Sequence, residues 1–316
     1  MIDISHLTKV YGTKTAVQDI TFSVGRGEIL GFLGPNAAGK TTTMRILTCF
    51  MPATSGRASI AGFDVFGQSM EVRRRIGYLP ENPPLYSEMT VEKYLAFVGG
   101  IKGMDPRLLK TRVPEVMERT SIRTEAGRII KHLSKGYRQR VGIAQALIHN
   151  PEVLILDEPT VGLDPKQIIE VRELIRGLGG DHTIILSTHI LPEVSMTCSR
   201  VIIINEGRIV ASDTTENLTR RLRGSDNLYV EVEGPEESVE TRIRALGGVT
   251  AVSRRKTEKR RGNGYLIETE IGVDVRRDLA ALVVGQGWGL LEMRPVGMSL
   301  EEVFLHLTTR EEEVPA

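Results

Sequence analysis

Two glycines, a lysine and a threonine stand at a spacing that can hold a chain of phosphates. Gly34-Pro35-Asn36-Ala37-Ala38-Gly39-Lys40-Thr41 satisfies the pattern G-x-x-x-x-G-K-[ST]. Glycines let the backbone approach an anion and turn several N–H groups inward. A helix opening near Gly39 adds the positive end of its dipole. Lys40 would reach the β- and γ-phosphates, the Thr41 hydroxyl would bind Mg2+, and Thr42 continues the cradle. The string follows a predicted strand at 28–33 and opens a predicted helix at 41–48, which is the context this chemistry requires. On its own it points to a nucleotide and not to the machine that uses it.

A second constellation lies downstream. Val153-Leu154-Ile155-Leu156-Asp157-Glu158 is an apolar strand ending in two acids. In an open parallel sheet, ligands sit at the carboxyl ends of the strands, so both acids are expected beside the phosphate loop. Asp157 would hold Mg2+ through water while Glu158 faces the attacking water. Neighbours on a strand point to opposite sides, so the strand end must bend to bring both to one site. Asp164-Pro165 reads as a helix N-cap followed by proline in the first turn.

The elements that must carry these residues alternate along the chain. Segments 2–10 and 16–24 read as antiparallel strands joined near Gly12. Short β-branched runs at 153–156 and 183–187, with helical stretches between, argue for a parallel sheet with helical crossovers. Segments 201–204 and 208–210, hinged at Asn205-Glu206-Gly207, read as a hairpin. Between about 85 and 131 the texture becomes helical, with predicted helices at 91–101 and 108–120. After Gly224 the order is strand 228–233, helix 235–245, strands 249–255 and 265–271, helix 274–284 and strand 288–294, a ferredoxin-like succession. Arg254-Arg255-Lys256 and Lys259-Arg260-Arg261 fall in the turn between its middle strands, where a solvated turn or a nucleic-acid or lipid contact would each use such charge. Ser299-Leu300-Glu301-Glu302 is a capping box for a last helix, and residues 311–316 form a tail.

Composition narrows the class. The chain has 316 residues, which favours two unequal domains over one core. Lys+Arg (41) nearly cancels Asp+Glu (40), so bulk charge supplies no attraction to nucleic acid. Two cysteines, Cys49 and Cys198, without paired spacing, read as reduced thiols. The first residues lack a signal-peptide pattern, and no segment approaches the ~20 apolar residues of a membrane span.

Leu133-Ser134-Lys135-Gly136-Tyr137-Arg138-Gln139-Arg140, then Leu156-Asp157-Glu158-Pro159-Thr160 and Gly162-Leu163-Asp164, resemble the signature and Walker B region of ABC ATPases. The resemblance spans about residues 2–220. It implies an α/β fold: a P-loop NTPase ABC cassette with an antiparallel β layer and a helical subdomain. The cassette would fill 1–223, its helical subdomain about 85–131, and a small α+β ferredoxin-like accessory domain 224–316. It also implies roles residue by residue. His189, in Ser187-Thr188-His189, matches the switch histidine that contacts the γ-phosphate, and Tyr11 matches the aromatic that stacks on adenine. Ser134 and Gly136 would complete the ATP site of a second copy, or of a homologous subunit, in a head-to-tail dimer. The helix after Gly136 would offer its dipole to that γ-phosphate.

Three departures from the family pattern stand out. Ala37 replaces a usual glycine, so the loop there must avoid φ > 0 or bear a cost of about 1 kcal/mol. Lys135 and Tyr137 replace the commoner glycine and glutamine, and Lys135 adds positive charge near the phosphate. Glu81, in Gly77-Tyr78-Leu79-Pro80-Glu81-Asn82, stands where the family offers glutamine to Mg2+ and to the permease. The resemblance thus implies ATP and Mg2+ as cofactors, ATP hydrolysis, and an integral membrane permease docked near 80–102, on the cytoplasmic face of the membrane. The Tyr-Leu-Pro-Glu loop, the C-terminal appendage and segment 299–304 are similar to exporter ATPases of the multidrug and gliding-motility type. The alternative is a soluble ABC ATPase acting on ribosomes or DNA. One cassette per chain and near-neutral charge weigh against it.

Overall fold

The computed structural model describes residues 1–215, 217–218, 226–255, 262–270 and 273–296. They fall into two compact units, Met1–Thr215 and a second unit from residue 216 onward. The expected boundary at 223/224, the basic turn at 256–261, the capping box at 299–302 and the tail lie outside the described residues.

The first unit opens with β1 (Ile2–Tyr11) and β2 (Lys14–Val24), paired antiparallel across a turn where Gly12 has φ 56°. Next come β3 (Ile29–Leu33), α1 (Lys40–Leu47), β4 (Ser55–Ile60), β5 (Phe63–Asp64), α2 (Ser69–Arg75) and β6 (Ile76–Leu79). Helices α3 (Val91–Ile101), α4 (Pro106–Arg119) and α5 (Lys135–Leu147) precede β7 (Val153–Asp157) and α6 (Pro165–Leu178). The unit closes with β8 (Thr183–Thr188), α7 (Leu191–Thr197) and the hairpin β9 (Arg200–Asn205) and β10 (Arg208–Asp213).

Two sheets result. One is antiparallel, ordered β2-β1-β4-β5; the other is ordered β10-β9-β3-β8-β7-β6, parallel except for β10. Every residue of β7 and β8 is buried, because helices and neighbouring strands cover both faces, and this produces their unbroken apolar runs. The inner face of the antiparallel sheet (Ile2, Ile4, Leu7, Val17, Ile20) shares one core with Leu30 and Phe32 of β3, Met44 of α1 and Ile155 of β7. That shared core anchors the loop between β3 and α1 on both sides.

The helical stretch is held by capping chemistry as well as packing. Asp105 caps α4, accepting from the Arg107 N–H at 2.7 Å, with Pro106 in the first turn. Arg112 is buried and donates to the Leu147 and Ile148 carbonyls at 3.0 and 3.1 Å, satisfying the end of α5.

The second unit contains β11 (Asp226–Glu233), α8 (Glu236–Arg244), β12 (Val249–Arg255), β13 (Asn263–Thr269), α9 (Arg276–Gly285) and β14 (Gly289–Val296). Its antiparallel order, β12-β13-β11-β14, is that of a ferredoxin-like sandwich. Val230, Val232, Tyr265 and Ile267 meet Val239, Ile243 and Leu279 of the helices in its core. The strand expected at 265–271 begins two residues earlier, pulled into register by Val232↔Asn263 and Tyr229↔Leu266. Arg254, from the basic stretch, is bound to Glu240 of α8 at 2.6 Å. Among the described residues, no helix is long and apolar enough to cross a membrane.

Candidate functional site

Strands β3, β8 and β7 are consecutive in the parallel sheet, and their carboxyl ends come level: Leu33 pairs with Thr188, and Ser187 with Asp157. Three loops therefore emerge side by side, at 34–39, at 158–164 and at 189–190. A cleft of about 600 Å³ opens over them. Pro35, Asn36, Ala37, Gly39, Lys40, Thr41, Thr42, Glu81, Glu158, His189 and Tyr11 all line it. Gly34 and Ala38 form the loop behind, and Asp157 lies buried beneath.

The loop's conformation explains its glycines. Gly39 has φ 107°, and a side chain there would reach within 2.5 Å of the Ala16 carbonyl of β2. Ala37 takes φ 66°, so it bears the left-handed cost that the sequence allowed for, instead of avoiding it. Lys40 folds back to donate to the Gly34 and Pro35 carbonyls at 2.7 and 3.1 Å, and its ammonium stands 3.5 Å from Glu158. Opposite charges that close, both nearly out of water, offset each other's desolvation.

The bend required at the end of β7 is present. Glu158 has φ 49°, its N–H donates to the Ser187 carbonyl at 2.9 Å, and its carboxylate meets His189 Nδ1 at 2.9 Å. A non-glycine residue held in this region costs about 1–3 kcal/mol and persists only where its surroundings over-determine it. Asp157 is fully buried, and neither carboxylate oxygen has a hydrogen-bond partner. Burial foremost, with the charges of Glu158 and Glu81, pushes its pKa up. The nearby Ser187 and Thr41 hydroxyls pull the other way without making a hydrogen bond of good geometry. An orphaned buried acceptor pair below a threonine hydroxyl suits a hard divalent cation.

Tyr11 ends β1 at the rim of the cleft, 44% exposed, with the Lys9 ammonium over its ring at 5.3 Å and its hydroxyl meeting Met51 Sδ at 2.8 Å. Ser134 and Gly136 lie outside the cleft's lining. Ser134 is the exposed N-cap of α5, accepting from the Tyr137 N–H at 3.3 Å. The helix thus begins at Lys135, so Gly136 belongs to its first turn and does not precede it. A side chain at Gly136 would fall 2.6 Å from Cδ of Gln167 on α6. The Lys135 ammonium packs over Gly162 of its own chain. Asp164 caps α6 as its sequence context predicts, accepting from the Gln167 N–H at 2.9 Å.

Sequence reasoning did not single out Lys14, Ala16 and Val161, which also line the cleft, or Glu193, buried behind it. The first three carry no motif, because β2 and the turn after Glu158 bring them in only through tertiary folding.

A second cavity, about 580 Å³, lies between the parallel sheet and the helical stretch. Of the 80–102 span expected to meet a permease, Ile101 and Lys102 contribute to its wall. Phe50, Met70, Arg73, Tyr78 and His149 supply much of the rest.

Comparisons with known proteins agree with this geometry. Residues 17–161 match the family model described as "ABC transporter". The linearmycin resistance ATP-binding protein LnrL of Bacillus subtilis is 33% identical over 311 residues, covering 98% of this chain and 99% of that protein. The bacitracin transport ATP-binding protein BcrA of Bacillus licheniformis is 40% identical over 225 residues, covering 71% and 72%. A solved structure described as "Structure of ATP binding subunit of ABC transporter" superposes with a TM-score of 0.63 at 31% identity, over 70% of this chain and 93% of that one. Near full-length similarity to a protein named for resistance, and similarity over about 70% to one named for transport, do not favour the ribosome- or DNA-acting alternative. The chain belongs to the ABC transporter family, as an ATP-binding, ATP-hydrolysing subunit.

Proposed function

We propose that two copies of this chain, or one copy and a homologous subunit, clamp ATP across a shared seam and hydrolyse it to drive export through a separate membrane permease. The observation that carries this reading is the meeting of Lys40, Glu158 and His189 at the phosphate loop, with Glu158 held 3.5 Å from Lys40 and 2.9 Å from His189. Tyr11 stacks on adenine, and the N–H groups of 34–42 cradle the phosphates with Lys40. Glu158 accepts a proton from the attacking water, and His189 faces the γ-phosphate. Ser134 is exposed at the start of α5 and outside its own chain's cleft, as a group lent to a partner must be.

Thr41, Glu81 and Asp157 are the residues that would hold Mg2+, Asp157 through water. Among the described residues no three acidic, histidine or cysteine side chains gather to hold a metal alone. Mg2+ usually takes one or two carboxylates plus the nucleotide's phosphates. The ion would neutralise charge on the β- and γ-phosphate oxygens.

Export is supported by the resistance names of the relatives, among them the daunorubicin resistance protein DrrA3 of Streptomyces coeruleorubidus, 32% identical over 97% of this chain. Action at the cytoplasmic face follows from the same reading, since ATP is supplied there. The second cavity would receive a permease helix, its apolar Phe50, Met70 and Ile101 rimmed by Arg73, Arg74 and Lys102.

Glu158→Gln tests the seam. The variant should bind ATP with Mg2+, stop turning over and accumulate as a dimer by light scattering. A folded variant that stays monomeric at saturating ATP, both alone and mixed with a homologous subunit, would sink the arrangement.

A further inference from the structure

Glu193 is a buried acid of the first unit to which the proposed function gives no task. It lies on α7 among core residues Leu191 and Val194, and is 1% exposed. A carboxyl group in such a place is costly unless its oxygens are satisfied. They are: one accepts from the Thr160 hydroxyl, the other from the Thr188 hydroxyl at 2.8 Å. Thr188 in turn accepts from the Ile190 N–H at 3.0 Å.

The bond to Thr188 alone would be local helix-end chemistry, five residues away in sequence. The bond to Thr160 is not local, for it crosses 33 residues to another loop. Thr160 stands two residues after Glu158, and Thr188 is the neighbour of His189. The two reacting side chains are thus tied on two sides: through the Glu158 N–H to Ser187 carbonyl bond at 2.9 Å, and through Glu193. Glu158 is left-handed and needs such redundant restraint.

Resting on the proposed roles of Glu158 and His189, we infer that Glu193 is a positioning residue for ATP hydrolysis, a buried clamp that holds the Glu158 loop and the His189 loop in register. It touches no substrate. Its effect is confined to the chemical step, because the phosphate loop and Tyr11 bind ATP without it.

The test compares Glu193→Met, which keeps volume and removes both acceptors, with Glu193→Gln and Thr160→Val. An amide can accept from Thr188 and donate to Thr160, whose hydroxyl also accepts, so glutamine preserves both ties. Glu193→Met and Thr160→Val should lower kcat at least tenfold with KM for ATP within twofold, since misplacing reacting groups by about 1 Å costs on the order of 100-fold. Glu193→Gln should stay within about threefold of the parent. Wild-type kcat in Thr160→Val, or a loss in Glu193→Met that merely tracks the folded fraction, overturns the clamp. If Glu193→Met fails to fold, Thr160→Val and Glu193→Gln decide the matter. Glu158→Gln serves as the control. If it still hydrolyses ATP, the underlying reading of the site fails; if it is inactive while Thr160→Val runs at full rate, only the clamp fails.

Discussion

The Lys40 ammonium lies 3.5 Å from the Glu158 carboxylate, with the two side chains only 6% and 8% exposed. The lysine therefore stands beside the acid proposed to activate water. Charge-assisted hydrogen bonds contribute about 1.5–3 kcal/mol each. Lys40→Met should weaken ATP binding about 10- to 100-fold by titration calorimetry. It should also lower the unfolding midpoint, because Glu158 is left buried without its cation. Affinity within threefold of the parent would count against a phosphate contact.

Ala37 carries φ 66° in the middle of the phosphate loop. Glycine relieves about 1–2 kcal/mol of left-handed strain, and its freer unfolded chain returns about 0.4–1 kcal/mol of that. Ala37→Gly should leave stability unchanged or raise it by up to about 1.6 kcal/mol. Ala38→Gly, at a buried position with ordinary φ, should lower it by about 1 kcal/mol. Urea melts of both variants check the contrast, and a destabilised Ala37→Gly would refute the strain.

His149 Nε2 donates to the Ile76 carbonyl at 2.9 Å, while Nδ1 has no partner. Burial, reinforced by Lys102 and Arg112, lowers its pKa to about 4 against the opposing bond to Ile76. The folded pKa lies below the unfolded one, so unfolding takes up a proton between about pH 6.5 and 4. This contribution is whole above pH 6.5 and is lost as pH falls towards 4, by about 3 kcal/mol at most. His149→Gln keeps the donor without titrating. Its midpoint in urea should fall less between pH 7 and pH 4.5 than the parent's, and parallel declines would sink the assignment.

Glu81 lines the nucleotide cleft and adds to the negative field at Asp157. Glu81→Gln keeps an oxygen and removes the charge. The Mg2+ concentration for half-maximal ATPase should rise about two- to tenfold, since hard cations favour charged oxygen ligands. An unchanged Mg2+ dependence together with unchanged coupling to the permease would deny Glu81 a special role.

Much of the site is legible in the chain because its chemistry is local. The phosphate loop needs glycine where Gly39 turns left-handed against the Ala16 carbonyl, and the acidic strand needs an apolar run because β7 is covered on both faces. Elements that depend on partners leave fainter marks. Strand β4, Ser-Gly-Arg-Ala-Ser-Ile, buries only Ala58 and Ile60 and owes its existence to pairing with β1. Strand β6 is four residues long and is passed over as loop, although it pairs in parallel with β7. Glu193 follows Ser187-Thr188-His189 on an unremarkable helix, and only the fold brings Thr160 to it.

Gly136 leaves no room between the first turn of α5 and Gln167 of α6, and Lys135 rests over Gly162. The helix tip proposed to serve a neighbour is therefore seated on the segment that trails the chain's own acid. A shift of either would press directly on the other. The two nucleotides of a pair would then be in conversation through a handful of atoms, and a bulkier residue at 136, which must displace Gln167, should disturb both.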